Sequence, residues 1–265
     1  MKKSFDQLIA LLGNYSYGPA YDILCEHGHG ELDISTVLNT LKYSINFDFD
    51  YAEKILQKSS AKFKHSELYA EIRKNLDDLI AGKPDAIFSE LLFSMVTQTS
   101  RDEYIDFIGR VYRYREALLK YLFLSLEGKK NINMFSEEMS KRFQIRVLNE
   151  KYNMHTHSLG PSLTKYFRVY HEDDHAVRRL MEILDSRKMI ELVNLRNASI
   201  IGHGFAGISL RDIEKAYGDI DDLFYDFKVS AGFLGLDLDY EKYDRWNNAI
   251  IIEAKQIPGF LGSPA

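Results

Sequence analysis

Apolar residues recur at intervals of three and four along almost the whole chain, a pattern typical of amphipathic helices. The clearest stretches cover residues 101–126, 188–201 and 246–254, and another begins near residue 173. No series of short β-branched runs alternates with these stretches. We therefore predict an all-α protein, and the pattern argues against a Rossmann-like nucleotide-binding domain.

One internal similarity organises the beginning of the chain. Residues 14–24 align with residues 46–56 at an offset of 32, and both segments combine an aromatic-rich turn with the start of a helical pattern. An offset of this size is typical of helical-hairpin repeats, but two copies are too few for a solenoid. They predict a helical subdomain instead.

We place that subdomain at residues 1–98 and a second helical bundle at residues 99–265. Gly82, Pro84 and the polar cluster that ends at Ser100 are candidate joints. Ser100 is also a candidate N-cap for the long helix that follows, because its hydroxyl could accept a hydrogen bond from the first helical turn.

The charge distribution singles out the middle of the chain. The formal net charge is −5, which argues against a dedicated duplex-DNA binder. Residues 101–196 nevertheless hold 18 basic and 14 acidic side chains, the one long stretch with a basic surplus. An anionic partner would bind most favourably to this stretch. Chance variation in the charges on solvated helix faces would give the same surplus.

The sequence lacks the features that are typical of secreted and membrane proteins. The single Cys25 excludes an intramolecular disulfide framework and a four-cysteine zinc site. Lys2 and Lys3 are followed by Phe5 and Asp6 rather than by the apolar core of a signal peptide. No apolar run approaches the length of a membrane span. We expect a cytoplasmic protein without a membrane partner.

One segment carries the residue types expected of a catalytic site. Arg196 stands within an apolar stretch, where an unpaired guanidinium is costly to bury because arginine does not deprotonate. His203 follows seven residues later, and seven steps of a helix return to nearly the same face. Ser199 falls between them on that face. Gly202 and Gly204 indicate that the helix ends near the histidine with a close backbone approach.

The spacing alone is not specific, since Arg168 and His175 share it. The adjacent Asn197, the apolar helix and the flanking glycines distinguish Arg196 and His203 from that pair. This combination resembles the catalytic motif of HEPN ribonucleases. Among these, the resemblance points to the C-terminal helical and HEPN part of the type III CRISPR-associated CARF–HEPN accessory ribonucleases, with residues 99–265 as the HEPN-like domain.

The resemblance implies a reaction and a site. It implies an endoribonuclease of type III CRISPR antiviral defence, with neither metal nor cofactor. Attack by the 2′-hydroxyl on single-stranded RNA would leave 2′,3′-cyclic phosphate and 5′-hydroxyl ends. Arg196 and His203 would be catalytic and Asn197 supporting, and we add Ser199 as a supporting residue by its position. The resemblance also implies a homodimer whose two motifs face each other.

These residue types suit that chemistry. A permanent cation such as Arg196 can stabilise the charge that grows on the phosphoryl oxygens. A histidine can move a proton to or from the attacking or the leaving oxygen. Whether His203 acts as acid or base stays open, and Asn197 is better suited to orienting than to reacting.

The chain departs from the CARF–HEPN arrangement in one respect. The sequence contains no βαβ sensor pattern, so a CARF domain or a cyclic oligoadenylate activator would have to be supplied from outside this chain. We expect either an excised C-terminal part of such a ribonuclease or a stand-alone relative.

Other functions remain open. A catalytically silent helical dimerisation or scaffold module would satisfy the composition. A HEPN toxin of a toxin–antitoxin pair, restrained by a nucleotidyltransferase-like partner, would carry the same motif. In a purely structural role, Arg196 would bridge to a carboxylate and His203 would cap the end of the helix.

Two further patterns have simpler explanations. His171 and His175 match the zinc-protease pattern H-E-x-x-H, but Asp173 or Asp174 in its middle is better explained as the N-cap of the next helix. The basic and aromatic run over residues 110–115 could contact phosphates and stack on bases. We favour the simpler interpretation, a helix with half-buried tyrosines and solvated arginines.

Overall fold

The computed structural model describes residues 2–257, and within that range the chain is helical. The one β contact there is an isolated parallel bridge between Ser199 and Ala206. The predicted all-α fold is therefore confirmed. Every helix in the described residues is too short or too polar to span a lipid bilayer.

Fourteen α-helices and two short 3-10 helices make up the described range. The 3-10 helices are Phe63–His65 and Glu137–Met139. The α-helices are α1 (Lys2–Gly13), α2 (Tyr17–Glu26), α3 (Asp33–Ser44), α4 (Phe49–Leu56), α5 (Glu67–Ile80), α6 (Pro84–Thr99), α7 (Tyr104–Leu126), α8 (Lys141–Tyr152), α9 (Leu159–Tyr170), α10 (His175–Leu184), α11 (Arg187–Ala198), α12 (Leu210–Tyr217), α13 (Ile220–Phe233) and α14 (Lys242–Ala254).

Packing divides the chain into two compact units. The first unit consists of the chain up to Ala81 and the segment from Asp239 onward, and the second is Gly82–Leu238. This division differs from the predicted boundary at residue 98, which would separate α6 from α7. Those two helices pack against each other, and Phe88 of α6 is buried in the same core as Tyr114 of α7.

The polar cluster at the predicted boundary ends a helix rather than starting one. Ser100 is the C-cap of α6, and Glu103 precedes the first residue of α7. The N-cap role predicted for Ser100 is therefore wrong. The chain turns between the two helices at Asp102, which has a positive φ of 57°.

The aromatic-turn repeat predicted from the sequence is present in the first unit. The pairs α1–α2 and α3–α4 each pack as neighbouring helices. Tyr15 and Phe47, which are 32 residues apart, both have positive φ, at 53° and 64°. The helices that follow begin at Tyr17 and Phe49, again 32 residues apart. The two copies therefore share their turn conformation as well as their sequence pattern.

The central helix of the second unit is α7. Ten of its 23 residues are buried, so it presents apolar side chains in more than one direction. Helices α6, α9 and α11 all pack against it. Gly109 of α7 leaves room for the loop after α11, because a Cβ there would lie 2.7 Å from the Ile201 side chain. This arrangement fixes α9 and α11 on a common support.

The segment between α9 and α10 is a helix-to-helix turn. His171 is the C-cap of α9 and His175 is the first residue of α10, so the two histidines do not lie on one helix as in a zinc protease. The Asp174 carboxylate accepts hydrogen bonds from the backbone N–H groups of Ala176 and Val177, at 2.9 and 3.1 Å. Asp174, rather than Asp173, is thus the N-cap.

We predict that Asp174→Ala lowers the free energy of unfolding by about 1 kcal/mol, because two N–H groups at the start of α10 lose their acceptor. Urea denaturation followed by circular dichroism measures the change. Asp173→Ala is the matched control and should be nearly neutral. Equal losses in the two variants would contradict the assignment of the cap.

Candidate functional site

A cavity of about 770 Å³ in the second unit brings the predicted site residues together. Arg196, Asn197 and His203 all line it. Its other walls come from α7 and α9 and from Asp185 at the end of α10. The three residues that resemble the ribonuclease motif therefore share one concave surface.

They do not share one helix, however. We predicted a helix over residues 188–201 with Arg196 and His203 on a common stripe, but α11 ends at Ala198. Ser199 is its C-cap, with an extended backbone at φ −89° and ψ 171°. The prediction of a shared helical stripe is wrong, and a loop carries His203 to the cavity instead.

That loop, residues 199–206, folds back on the last turn of α11. The backbone N–H of His203 donates to the carbonyl oxygen of Asn197 at 3.0 Å, and that of Ala206 donates to the carbonyl oxygen of Ala198 at 2.9 Å. The N–H groups of Gly202 and Gly204 donate to the Ser199 carbonyl oxygen at 2.9 and 3.3 Å. The backbone itself thus holds the histidine beside the arginine.

Two glycines make this fold-back possible. A Cβ on Gly202 would lie 2.3 Å from the carbonyl oxygen of Arg196, and one on Gly204 would lie 2.1 Å from that of Ala198. Both distances are far inside van der Waals contact with rigid backbone atoms. The close backbone approach predicted at these glycines is confirmed.

Ser199 supports the loop rather than the cavity. Its side chain is fully buried, and its hydroxyl donates to the Arg196 carbonyl oxygen at 2.8 Å. It is not among the residues that line the cavity. Its predicted place on a common face between Arg196 and His203 is therefore wrong, and its contacts tie the loop to the helix end.

Arg196 is less buried than the apolar pattern suggests. Only Met189 and Leu192 of α11 are buried, and Arg196 is partly exposed at the cavity wall. Its guanidinium carbon lies 4.7 Å from the centre of the Tyr112 ring, and its Nη1 donates to Asn197 Oδ1 at 3.1 Å. The ring and the amide both restrict the guanidinium, so they orient its charge toward the cavity.

Neither purely structural role matches the contacts. Within residues 2–257 no carboxylate forms an ion pair with Arg196, so the bridge considered for it is absent there. His203 reaches the end of α11 through its backbone N–H alone, and its exposed imidazole forms no hydrogen bond with the helix within residues 2–257. Both side chains remain available to a ligand in the cavity.

Three more cations line the cavity, from α7 and α9. Lys165 and Arg168 project from α9, and Arg115 rises from α7. Arg168 forms an ion pair with Asp185, and the Arg115 Nη2 lies 3.7 Å from the same carboxylate. Four cations therefore line the cavity against one carboxylate, which makes it a favourable place for an anion.

Sequence reasoning missed Arg115, which it placed among the solvated arginines of the run over residues 110–115. Arg115 is only 8% exposed, and its Nε donates to the Leu184 carbonyl oxygen at 2.5 Å. Burial lowers its pKa, since desolvation penalises the charged form. The signal was present, because Val111, Leu118 and Arg115 share one helical stripe.

No group of three histidine, cysteine, aspartate or glutamate side chains is arranged to hold a metal ion in the part of the chain described by the structure. The polar atoms that face the cavity are mainly guanidinium, ammonium, amide and imidazole nitrogens. Guanidinium and ammonium groups have no acceptor atom, so they bind anions rather than cations. The site is therefore suited to phosphate chemistry.

Comparison with protein-family models, curated proteins and solved structures finds no match to the chain. The resemblance to HEPN ribonucleases therefore rests on the sequence motif of Arg196, Asn197 and His203.

We predict that Gly202→Ala and Gly204→Ala each destabilise the loop over residues 199–206, because the new methyl group would overlap the backbone of α11. The expected loss in free energy of unfolding is about 1–3 kcal/mol. Hydrogen exchange of the His203 and Ala206 amides should accelerate as the fold-back opens.

Gly207→Ala is the matched control, since a Cβ at Gly207 would meet no atom within 4 Å. It should leave both measurements unchanged. Wild-type exchange at the His203 amide in Gly202→Ala would show that the loop does not depend on the close approach.

Proposed function

We propose that the second unit is a metal-independent endoribonuclease that cleaves single-stranded RNA by attack of the 2′-hydroxyl. The observation that supports this proposal most directly is the meeting of Arg196, Asn197 and His203 on one cavity with a surplus of positive charge. RNA supplies the two groups on which such a site would act: a phosphate whose growing negative charge can be stabilised, and a 2′-hydroxyl that can be deprotonated. Its products would be 2′,3′-cyclic phosphate and 5′-hydroxyl ends.

The roles follow from what each side chain can do. The attacking 2′-oxygen forms a bond to phosphorus while the bond to the 5′-oxygen breaks, and negative charge grows on the phosphoryl oxygens. Arg196 stabilises that charge and cannot lose its own by deprotonation. The exposed imidazole of His203 either takes the proton of the 2′-hydroxyl or gives one to the leaving 5′-oxygen. Asn197 accepts a hydrogen bond from Arg196 and so orients it.

The cavity favours an enzyme over a silent scaffold. A scaffold has no need for Arg196 held against Tyr112 without a carboxylate partner, nor for three further cations around the same space. A HEPN toxin would share the site, and its antitoxin partner would be found by co-purification. Placement in type III CRISPR defence rests on the family resemblance alone, as does an external CARF sensor.

We further propose that the active form is a homodimer. One motif supplies a single cation and a single imidazole, too few groups for a complete phosphoryl-transfer site. Phe205 and Ile200 flank His203 in the same loop, and their side chains are 95% and 67% exposed. Apolar side chains so close to the site would be covered by a second copy of the loop.

We predict that Arg196→Ala and His203→Ala each lower the rate of cleavage of a fluorogenic single-stranded RNA by about 10²–10⁴-fold, with no change in circular dichroism. EDTA should leave wild-type cleavage unchanged. End-group analysis should find cyclic phosphate on the 5′ fragment.

The matched controls are Arg178→Ala and His175→Ala. Both residues are exposed on α10 and neither lines the cavity, so both variants should cleave at the wild-type rate. Cleavage that survives His203→Ala, or that EDTA abolishes, would overturn the proposed mechanism.

We predict that Phe205→Ser shifts the protein from dimer to monomer in analytical ultracentrifugation and lowers cleavage in parallel. Tyr225→Ser is the control, because Tyr225 is 67% exposed on α13 and is not part of the loop. It should change neither property. A wild-type protein that is monomeric at the concentrations at which it cleaves RNA would refute the dimer.

A further inference from the structure

The α9 wall of the cavity holds charge that the proposed cleavage step does not use. Lys165 and Arg168 are three residues apart on α9 and therefore lie on the same face. Both line the cavity and both are exposed. Lys165 forms no ion pair with any residue in the described range, although like charges on neighbouring helical positions repel. An anion between them would remove that repulsion.

Arg115 adds a buried cation beneath this wall. Asp185 is the one carboxylate in the cavity lining, and it pairs closely with Arg168. Arg115 contacts the same carboxylate at the longer distance of 3.7 Å, while its Nε caps the end of α10. One carboxylate cannot neutralise two arginines, so a positive surplus remains at this end of the cavity.

The N-terminus of α9 adds to the positive potential in this part of the cavity. Gly160 lies in the first turn of α9 and lines the cavity, and a Cβ there would lie 3.9 Å from Arg115 Nη1. The N-terminus of a helix carries partial positive charge from its unpaired N–H groups. It reinforces the field of the side chains, which are the main reason to expect an anion here.

These cations lie beside Arg196 and do not occupy the same part of the cavity. Arg196 packs over Tyr112, and Arg115 follows Tyr112 by three residues on α7. Residues so spaced on a helix have Cβ atoms about 5–6 Å apart. The two positions are therefore neighbours on the cavity floor, and a chain with regularly spaced charges could occupy both.

We propose that Lys165, Arg168 and Arg115 form a second subsite that binds the backbone phosphate adjacent to the scissile phosphate. The preferred substrate then carries at least two consecutive phosphodiester groups, one at Arg196 and one at the α9 wall. This inference rests on the proposed ribonuclease function. Arg115 is not a suitable test position, because its cap on α10 is structural.

Direct binding tests the subsite without requiring cleavage. A fluorescent 2′-O-methyl oligonucleotide, which has no attacking hydroxyl, is titrated in an anisotropy assay over a range of salt concentrations. Lys165→Ala should reduce the slope of log K against log salt by about one, because one phosphate contact is lost. Arg168→Ala should act similarly, whereas Lys141→Ala and Arg178→Ala, whose positions lie outside the cavity lining, should match wild type.

Cleavage then tests the position of the subsite. Wild type should cleave a trinucleotide with two phosphodiesters at a lower KM than a dinucleotide with one, at similar kcat. Lys165→Ala should raise the KM for the trinucleotide toward that for the dinucleotide, whereas Arg178→Ala, outside the cavity lining, should leave both KM values at those of wild type. Equal KM values for both substrates in the wild-type enzyme would overturn the proposal.

Failure of this inference can be told apart from failure of the proposed function. Oligonucleotide binding that falls in Lys165→Ala and Arg168→Ala, in a protein that cleaves no RNA, would support the phosphate subsite and refute the ribonuclease. Cleavage that persists with unchanged binding in both variants would refute the subsite alone. Inorganic phosphate that displaces the oligonucleotide at micromolar concentration would identify a free-anion site and overturn the backbone assignment.

Discussion

The chain after α11 doubles back on the helix that it has just left, and the proposed site depends on this contact. The N–H groups of His203 and Ala206 bond to the carbonyls of the last helical turn. Those carbonyls would otherwise lack partners, since the final four of any helix have none within it. The loop thus satisfies the helix end and delivers an imidazole to the cavity through the same hydrogen bonds. Only glycine at positions 202 and 204 leaves room for it.

The cavity depends in turn on α7, which supports both of its walls. Arg115 illustrates how stability and charge are combined there. Its Nε bonds to the Leu184 carbonyl, so the guanidinium closes the end of α10 and could not be removed without exposing that carbonyl. The same guanidinium leaves a positive surplus beside Asp185. A group retained for structural reasons can therefore also set the electrostatic character of the cavity.

The sequence was sufficient for the helices, the aromatic-turn repeat and the close approach at the two glycines, because each depends on local periodicity or local backbone sterics. It was not sufficient for the end of α11. Ile200 and Ile201 continue the apolar pattern past Ala198, yet Ile200 is 67% exposed and Ile201 packs at Gly109 of α7. Tertiary packing ended the helix at Ala198 although the apolar pattern continues. Hydrophobic periodicity alone does not show where packing overrides helix continuation. Spacing was equally ambiguous for Arg168 and His175, which belong to different helices.

The exposure of Arg196 and His203 has a consequence for how the proposed site would work. Two opposite unit charges attract each other only weakly in water, and their interaction energy rises several-fold as the local dielectric constant falls. An open cavity on one protomer would therefore bind RNA mainly through its cations while contributing little to the transition state. In the proposed dimer, Phe205 and Ile200 would exclude water where the Arg196–His203 motifs of the two protomers face each other. Binding and catalysis would then have different structural requirements, the first met by each copy alone and the second only by the pair.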